Sequence, residues 1–293
     1  MSTTTLALPH PMQRELRLLR TGFRFLGTVA PHLTGRIALN LFLTPTKRPI
    51  SAQAGSLMAQ AKQHSLAHGS RQLVVYEWEG EGPTILLIHG WESNASGMRG
   101  FVRPLLIQGF RVIAFDGPAH GHSTGKQTNL IDYGGAIQTV IHHFGPVYGI
   151  VAHSFGAAAT LLTLVREPSL PVKRVVSLGA PSRIEEMVDI WTGFVGMSSA
   201  SAEQMRQRLV DRVGLPLDSL IVANAAAALT IPGLIIHDRD DKVVNYANAE
   251  AIHRNWSTST LYTTIGLDHR GPLQDRGVLR RVVTFLSDEA VIS

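Results

Sequence analysis

From Gln72 onward the chain repeats one rhythm: a short apolar run, a loop, then a helix-like stretch. Candidate strands lie at residues 73–78, 84–89, 111–116, 148–152, 174–178, 233–237 and 260–264. Most are continuous and β-branched, as strands covered on both faces should be. Helix-like stretches at 96–108, 129–144, 155–166, 245–256 and 271–287 fall between most of them. Parallel neighbours need crossovers of that kind. The alternation predicts an α/β fold, a mostly parallel, doubly wound sheet flanked by helices.

Residues 183–231 break the rhythm. They separate two adjacent strand candidates and carry helical spacing, with Met187, Ile190, Trp191 and Phe194 on one face, followed by Met205, Leu209 and Val213. A structureless loop that long is unexpected in a compact domain. The reading is an inserted helical cap. Three segments follow: a basic N-terminal helical extension at 1–71, a core at 72–182 and 232–293, and a cap at 183–231.

Between the strand at 148–152 and the helix at 155–166 stands Ala152-His153-Ser154-Phe155-Gly156. A serine between small residues, on a sharp strand-to-helix turn, has the layout of a nucleophile elbow. Such a turn projects the hydroxyl from the sheet with a helix N-terminus beneath it. A serine hydroxyl is a weak nucleophile until a base takes its proton and a third group orients that base. His269, in Gly266-Leu267-Asp268-His269-Arg270 after the last strand, is placed to be the base. The orienting acid should end another strand, and Asp238, Asp240 and Asp241 are the candidates. Asp268 reads as a solvated loop residue, because adjacent side chains diverge.

These motifs together resemble the α/β-hydrolase superfamily, specifically its serine esterases and lipases, over roughly residues 72–287. His89-Gly90-Trp91 matches the family's oxyanion loop. Residues 116–123 loosely match its Asp-x-x-Gly-x-Gly-x-Ser turn, with Ala119 in place of a glycine. Residues 237–245 match its acid motif and put the acid at Asp241, with Asp238 and Asn245 replacing a glycine and a proline. Gly266 to His269 matches its Gly-x-x-His. The resemblance implies Ser154 as nucleophile, His269 as base and Asp241 as orienting acid. It implies backbone N–H groups of Trp91 and Phe155 as the oxyanion hole. The side chains of Trp91 and Phe155, with Met187 and Trp191 of the cap, are the expected substrate contacts.

The implied activity is hydrolysis of small-molecule carboxylic esters through an acyl-enzyme, with no cofactor and no metal. Thioesterase, lactonase and acyltransferase chemistry share the same residues and stay open, as does a non-catalytic binder on this fold. Serine at the elbow argues against the dehalogenases and epoxide hydrolases of the family, which use aspartate there. His89 and His153 read as supporting or packing groups. His120-Gly121-His122 reads as a turn, and Gly80, Gly82 and Pro83 as a hairpin-type connection without the lysine of a phosphate loop.

Charge bears on partners. The chain carries net +5, yet residues 1–76 hold nine Lys and Arg against one acid, Glu15. The remainder is net acidic, so it lacks the charge for a nucleic-acid partner. Zero cysteines exclude disulfides and thiolate sites. Residues 133–165 lack Asp, Glu, Lys and Arg, but glycines, histidines and Pro146 divide them into helix, turn, strand and helix, so no span is expected. No signal peptide is expected, because the first residues lack a basic start and Arg17, Arg20 and Arg24 interrupt the apolar stretch.

A helix is expected from Met12 to about Val29, with Met12, Leu16, Leu19, Phe23 and Leu26 on one face and Arg14, Arg17, Arg20 and Arg24 beside it. Either it packs on the domain with its arginines in water, or it rests weakly on anionic lipid. The expected location is cytoplasmic, with peripheral membrane association as the sharper form. A second apolar stretch, 37–43, ends at a proline-rich turn. The sequence is silent on oligomeric state.

Overall fold

The computed structural model describes residues 10–288, with side chains from Arg17 onward. Its helices are α1 (His10–Val29), α2 (Pro31–Phe42), α3 (Ala52–Met58), α4 (Arg99–Ile107), α5 (Leu130–Phe144), α6 (Phe155–Arg166), α7 (Ile184–Val195), α8 (Ser199–Val213), α9 (Val222–Ala225), α10 (Ala247–Asn255) and α11 (Arg276–Ser287). Its strands are β1 (Lys62–His68), β2 (Arg71–Trp78), β3 (Thr84–Ile88), β4 (Arg111–Phe115), β5 (Val147–His153), β6 (Arg174–Leu178), β7 (Gly233–Asp238) and β8 (Ser259–Thr264). These form two compact units. One runs from Thr44 to Ile184 and resumes at Leu220; the other comprises the chain up to Leu43 together with Glu185–Ser219.

The first unit holds one eight-stranded sheet in the order β1-β2-β4-β3-β5-β6-β7-β8. The β1–β2 and β2–β4 pairs are antiparallel, and β4, β3, β5, β6, β7 and β8 run parallel. Ile85–Ile88 of β3, Gly149–Ala152 of β5 and Val175–Leu178 of β6 are Val, Ile, Leu or small residues, because helices cover both faces of the central strands. Side chains alternate across the sheet: Ile85, Leu87 and Val151 pack with α3, α4 and α11, while α6 lies against β5 on the other face, near Ile88. Asn129 caps α5 by accepting from the N–H groups of Ile131 and Asp132 (both 3.0 Å). Asp275 caps α11 through the N–H of Val278 (2.9 Å).

The first-formed expectations need three corrections here. Residues 1–71 are not one helical extension: β1 is an edge strand, joined to β2 by a turn at Gly69, whose φ is +57°. β1 escaped notice because its burial is one-sided and partial, with Leu66 its buried side chain. The link through Gly80, Gly82 and Pro83 is not a hairpin, because β4 lies between β2 and β3. Gly80 is needed there for contact: a Cβ would come 2.3 Å from the carbonyl oxygen of Phe110.

The third correction concerns the segment boundaries. α7 and α8 share a unit with α1 and α2, and residues 220–231 belong with the sheet. The helical unit has its own core of Phe23, Ala38, Leu39, Val188, Val195, Met205 and Leu209. Trp191 meets the rings of Phe23 and Phe42 edge-on, at 6.4 and 5.5 Å. Of the α1 face expected to pack inward, Phe23 is buried, whereas Leu19 and Leu26 are exposed. Met12, Leu16 and Arg14 have side chains outside the described residues. Arg20 is not simply solvated: its Nε–H donates to the carbonyl of Phe194 (2.7 Å).

Candidate active site

Ser154 follows β5 and opens α6 with φ +54° and ψ −124°, a conformation that costs an L-residue about 1–3 kcal/mol. The turn is held because the Ser154 N–H donates to the carbonyl of Leu178 on β6 (2.8 Å). Gly156 is required by contact: a Cβ there would lie 2.2 Å from the carbonyl oxygen of His89. Ala152, standing where a glycine is usual, is wholly buried and accommodated.

The Ser154 hydroxyl lies 3.0 Å from Nε2 of His269. Nδ1 of His269 lies 2.7 Å from Oδ2 of Asp241. All three side chains leave the C-terminal ends of parallel strands, β5, β8 and β7, the edge where open α/β sheets place ligands. Asp241 Oδ1 accepts from the N–H groups of Val243 (2.8 Å) and Val244 (2.9 Å), which fixes the carboxylate plane. Burial by itself would raise the Asp241 pKa. Hydrogen bonds from His237 and His269, the His269 charge and the Val244 N–H outweigh it and hold the carboxyl well below its usual range.

The three clustered aspartates have separate tasks. Asp238 accepts from the N–H groups of Asp240 (2.9 Å), Leu267 (3.0 Å) and Asp268 (3.2 Å) and from the Thr264 hydroxyl (2.7 Å). It laces the loop after β7 to the loop that carries His269. Asp240 is exposed and accepts from the N–H of Gly266 (2.9 Å). Asp268 is likewise exposed, with φ +58°, and accepts from the N–H of Lys242 (3.2 Å). Asp241 alone among them meets the imidazole.

The His89-Gly90-Trp91 loop follows β3 and abuts the serine. A Cβ on Gly90 would lie 2.9 Å from Cβ of Ser154. Among the described residues, the backbone N–H groups of Trp91 and Phe155 have no backbone acceptor. The two rings meet edge-on at 5.1 Å. A cavity of about 160 Å³ opens over Ser154, His269 and Trp91, and Ser93, Arg99, Arg270 and Gln274 also line it. Phe155, Met187 and Trp191, expected as substrate contacts, do not line this cavity. Phe155 packs on Tyr133 at 5.3 Å, and Trp191 is held in the core of the helical unit. Arg99 and Arg270 were missed by sequence reasoning; adjacency to His269 was the one signal for Arg270.

Buried histidines brace these loops. His153 Nε2 donates to the His269 carbonyl (3.0 Å), and burial, with the nearby His269, pushes the His153 pKa down to about 3. His89 Nε2 accepts from the N–H of Gly117 (2.9 Å) and its Nδ1–H donates to the Gly90 carbonyl (2.7 Å), which fixes a neutral ring. Burial, with His120 and His153 nearby, holds its pKa well below the usual value. His120 accepts from the N–H of Glu92 (3.2 Å), and burial lowers its pKa to about 4. His122 instead meets the Tyr76 hydroxyl (2.9 Å). Tyr133 closes the set by donating to the His89 carbonyl (2.8 Å).

Residues 85–281 match the model of the Alpha/beta hydrolase family. The chain belongs to that family. A pimeloyl-[acyl-carrier protein] methyl ester esterase of Nitrosospira multiformis is 30% identical over 134 residues, 44% of this chain and 50% of that protein. An (R)-3-hydroxydecanoyl-ACP:CoA transacylase of Pseudomonas putida is 32% identical over 143 residues, 47% of this chain and 48% of that protein. The chain spans about half the length of the curated relatives it matches. Among solved structures, an esterase of Pyrococcus furiosus superposes with a TM-score of 0.66 at 20% identity, covering 84% of this chain and 99% of that one. That likeness is one of fold. Among the described residues no helix is long and apolar enough to cross a membrane.

Proposed function

We propose that this hydrolase cleaves carboxylic esters of small molecules through an acyl-enzyme on Ser154. The continuous chain from the Ser154 hydroxyl to His269 to Asp241, at 3.0 and 2.7 Å, carries the reading. The Ser154 oxygen attacks the acyl carbon while its proton passes to Nε2 of His269. Asp241 keeps the other imidazole proton on Nδ1 and stabilises the imidazolium. The tetrahedral oxyanion is received by the N–H groups of Trp91 and Phe155, each worth about 2.7–4 kcal/mol of barrier. His269 returns the proton to the leaving alcohol. Water then repeats the sequence on the acyl-enzyme and releases the acid.

The esterase relative supports the ester reading, and the transacylase relative supports a second one, in which an acceptor other than water takes the acyl group. The two share every step up to the acyl-enzyme. A fluorophosphonate probe is expected to label wild type and not Ser154→Ala, and ester turnover is expected to fall about 10⁴-fold or more in that variant. Labelling that persists in Ser154→Ala overturns the assignment. Product analysis with a competing thiol or alcohol separates hydrolysis from transfer.

A further inference from the structure

The cavity over Ser154 is polar and carries charge of one sign. Its charged lining, apart from the catalytic His269, is Arg99 and Arg270, and no acid lines it. The Arg270 guanidinium makes no hydrogen bond or ion pair among the described residues. Arg99 makes one long hydrogen bond, to the Ser96 carbonyl at 3.4 Å. Glu92, the carboxylate nearest in charge, already faces Arg48 at 3.7 Å. Partial burial, and then the charge of Arg48, weigh against the Arg270 cation, with Glu92 relieving them in part.

The backbone holds this arginine in place. The N–H of Gly271 donates to the Leu267 carbonyl (3.1 Å) and that of Leu273 to the Arg270 carbonyl (3.2 Å), so Arg270 sits in a short 3₁₀ turn directly after the base. An unpaired guanidinium is built for two-point recognition of a carboxylate or phosphate. At about 160 Å³ the cavity is smaller than the roughly 300–1,000 Å³ of drug-sized ligand sites, so the group it receives is short.

We propose that Arg270, with Arg99, binds an anionic oxygen group on the substrate, so that this hydrolase selects small esters bearing a carboxylate or phosphate a few bonds from the scissile carbonyl. The proposal rests on the serine-hydrolase reading above and names the substrate class of that site.

The test compares kcat/KM for monomethyl glutarate and for its neutral isostere, methyl glutaramate, with methyl phosphonoacetate as the phosphorus arm. The anionic ester is expected to be favoured about tenfold or more. That ratio is expected to fall toward one in Arg270→Gln and to fall partly in Arg99→Gln and in Arg270→Lys, where the ammonium keeps the charge but loses the two-point fork. High salt should reduce it. A carboxylate-only preference, or a phosphonate-only preference, identifies which anion the site takes. A wild-type ratio near one, or a ratio unchanged in Arg270→Gln, overturns the proposal. Binding of monomethyl glutarate to Ser154→Ala reads the site without catalysis. Binding that depends on Arg270, without ester turnover or probe labelling, keeps the anion site and sinks the hydrolase reading. Labelling and neutral-ester turnover without anion preference sink only the anion site.

Discussion

Among the described residues, Ile107, Val243 and Ile265 are the large hydrophobic side chains left exposed in the sheet-bearing unit; in the much smaller helical unit there are ten, among them Leu18, Phe25, Val29, Leu41 and Ile190. The sheet buries apolar residues on both faces, so β3 runs apolar from Ile85 to Ile88 with every side chain buried. A helix in a two-layer packing buries one stripe, and whatever else is apolar on it meets water. The difference separates two tasks. The sheet unit spends its polar residues on holding a few side chains at the strand ends, and the helical unit keeps apolar surface outside.

The sharpest test lies inside the sheet unit, between two aspartates three residues apart. Asp241→Asn should lower kcat by about 10⁴-fold, far out of proportion to its loss of stability, because the amide leaves the His269 imidazole in the wrong tautomer. Asp238→Asn should do the reverse. It turns two of its four donors toward an NH₂ group, costs about 2–3 kcal/mol of stability, and lowers kcat far less. Paired urea titrations and kinetics on the two variants check this. Equal losses of kcat would erase the division of labour between the two carboxylates.

A comparable probe of the helical unit is Phe23→Ala. Phe23 fills the core shared with Trp191 and Leu39, so its removal should cost about 3 kcal/mol of that unit's stability. Hydrogen exchange should speed up in α1 and α2, while fluorophosphonate labelling of Ser154 holds near the wild-type rate. Labelling that falls in step with exchange would mean that the two units are energetically one.

Acid should act on the sheet unit. His120 and His153 are held neutral in the fold, with pKa values near 4 and 3, and regain the ordinary value of 6.5 on unfolding. Between those limits the unfolded chain binds the extra protons. Stability is therefore complete above about pH 6.5 and falls as pH drops, by up to about 1.4 kcal/mol per pH unit for each histidine. Asp241, held low in the fold, loses its contribution in the same direction at lower pH still. Urea midpoints at about pH 7 and about pH 5 should show the slope, and His153→Gln should flatten it.

How much of this was legible in the sequence depended on whether a signal was local. The β5–Ser154–α6 turn was legible because Gly156 and the apolar run before it sit within a few residues of the serine. The acid was narrowed to three aspartates and no further by the residues alone. What distinguishes Asp241 is which backbone N–H groups reach it, and those come from chain folding back after β7. β1 was missed because it has a water-facing side and pairs only once, though Gly69-Ser70 is a hairpin signal. Arg99 and Arg270 lie 171 residues apart in sequence, and only the fold brings both to the cavity over Ser154. The α1 face was misjudged by about one residue's rotation: Phe23 was placed correctly, but the stripe through Leu18 and Phe25 competes with it for the core on hydrophobicity alone.

The smallest expected effect bears on that stripe. Leu18→Asp and Phe25→Asp remove side chains that touch mostly water, so each should change the unfolding free energy by less than about 0.5 kcal/mol. Leu39→Asp on α2, a buried position, should cost several-fold more, because it strands a carboxylate in the core. Thermal melts of the three variants rank them. If Leu18→Asp or Phe25→Asp destabilised the protein as much as Leu39→Asp, the stripe would be packing surface, and its exposure would not distinguish the helical unit from the sheet. If both are neutral, retaining large apolar side chains in water confers no stability on the folded chain. Their presence then has to be accounted for by something outside the monomer.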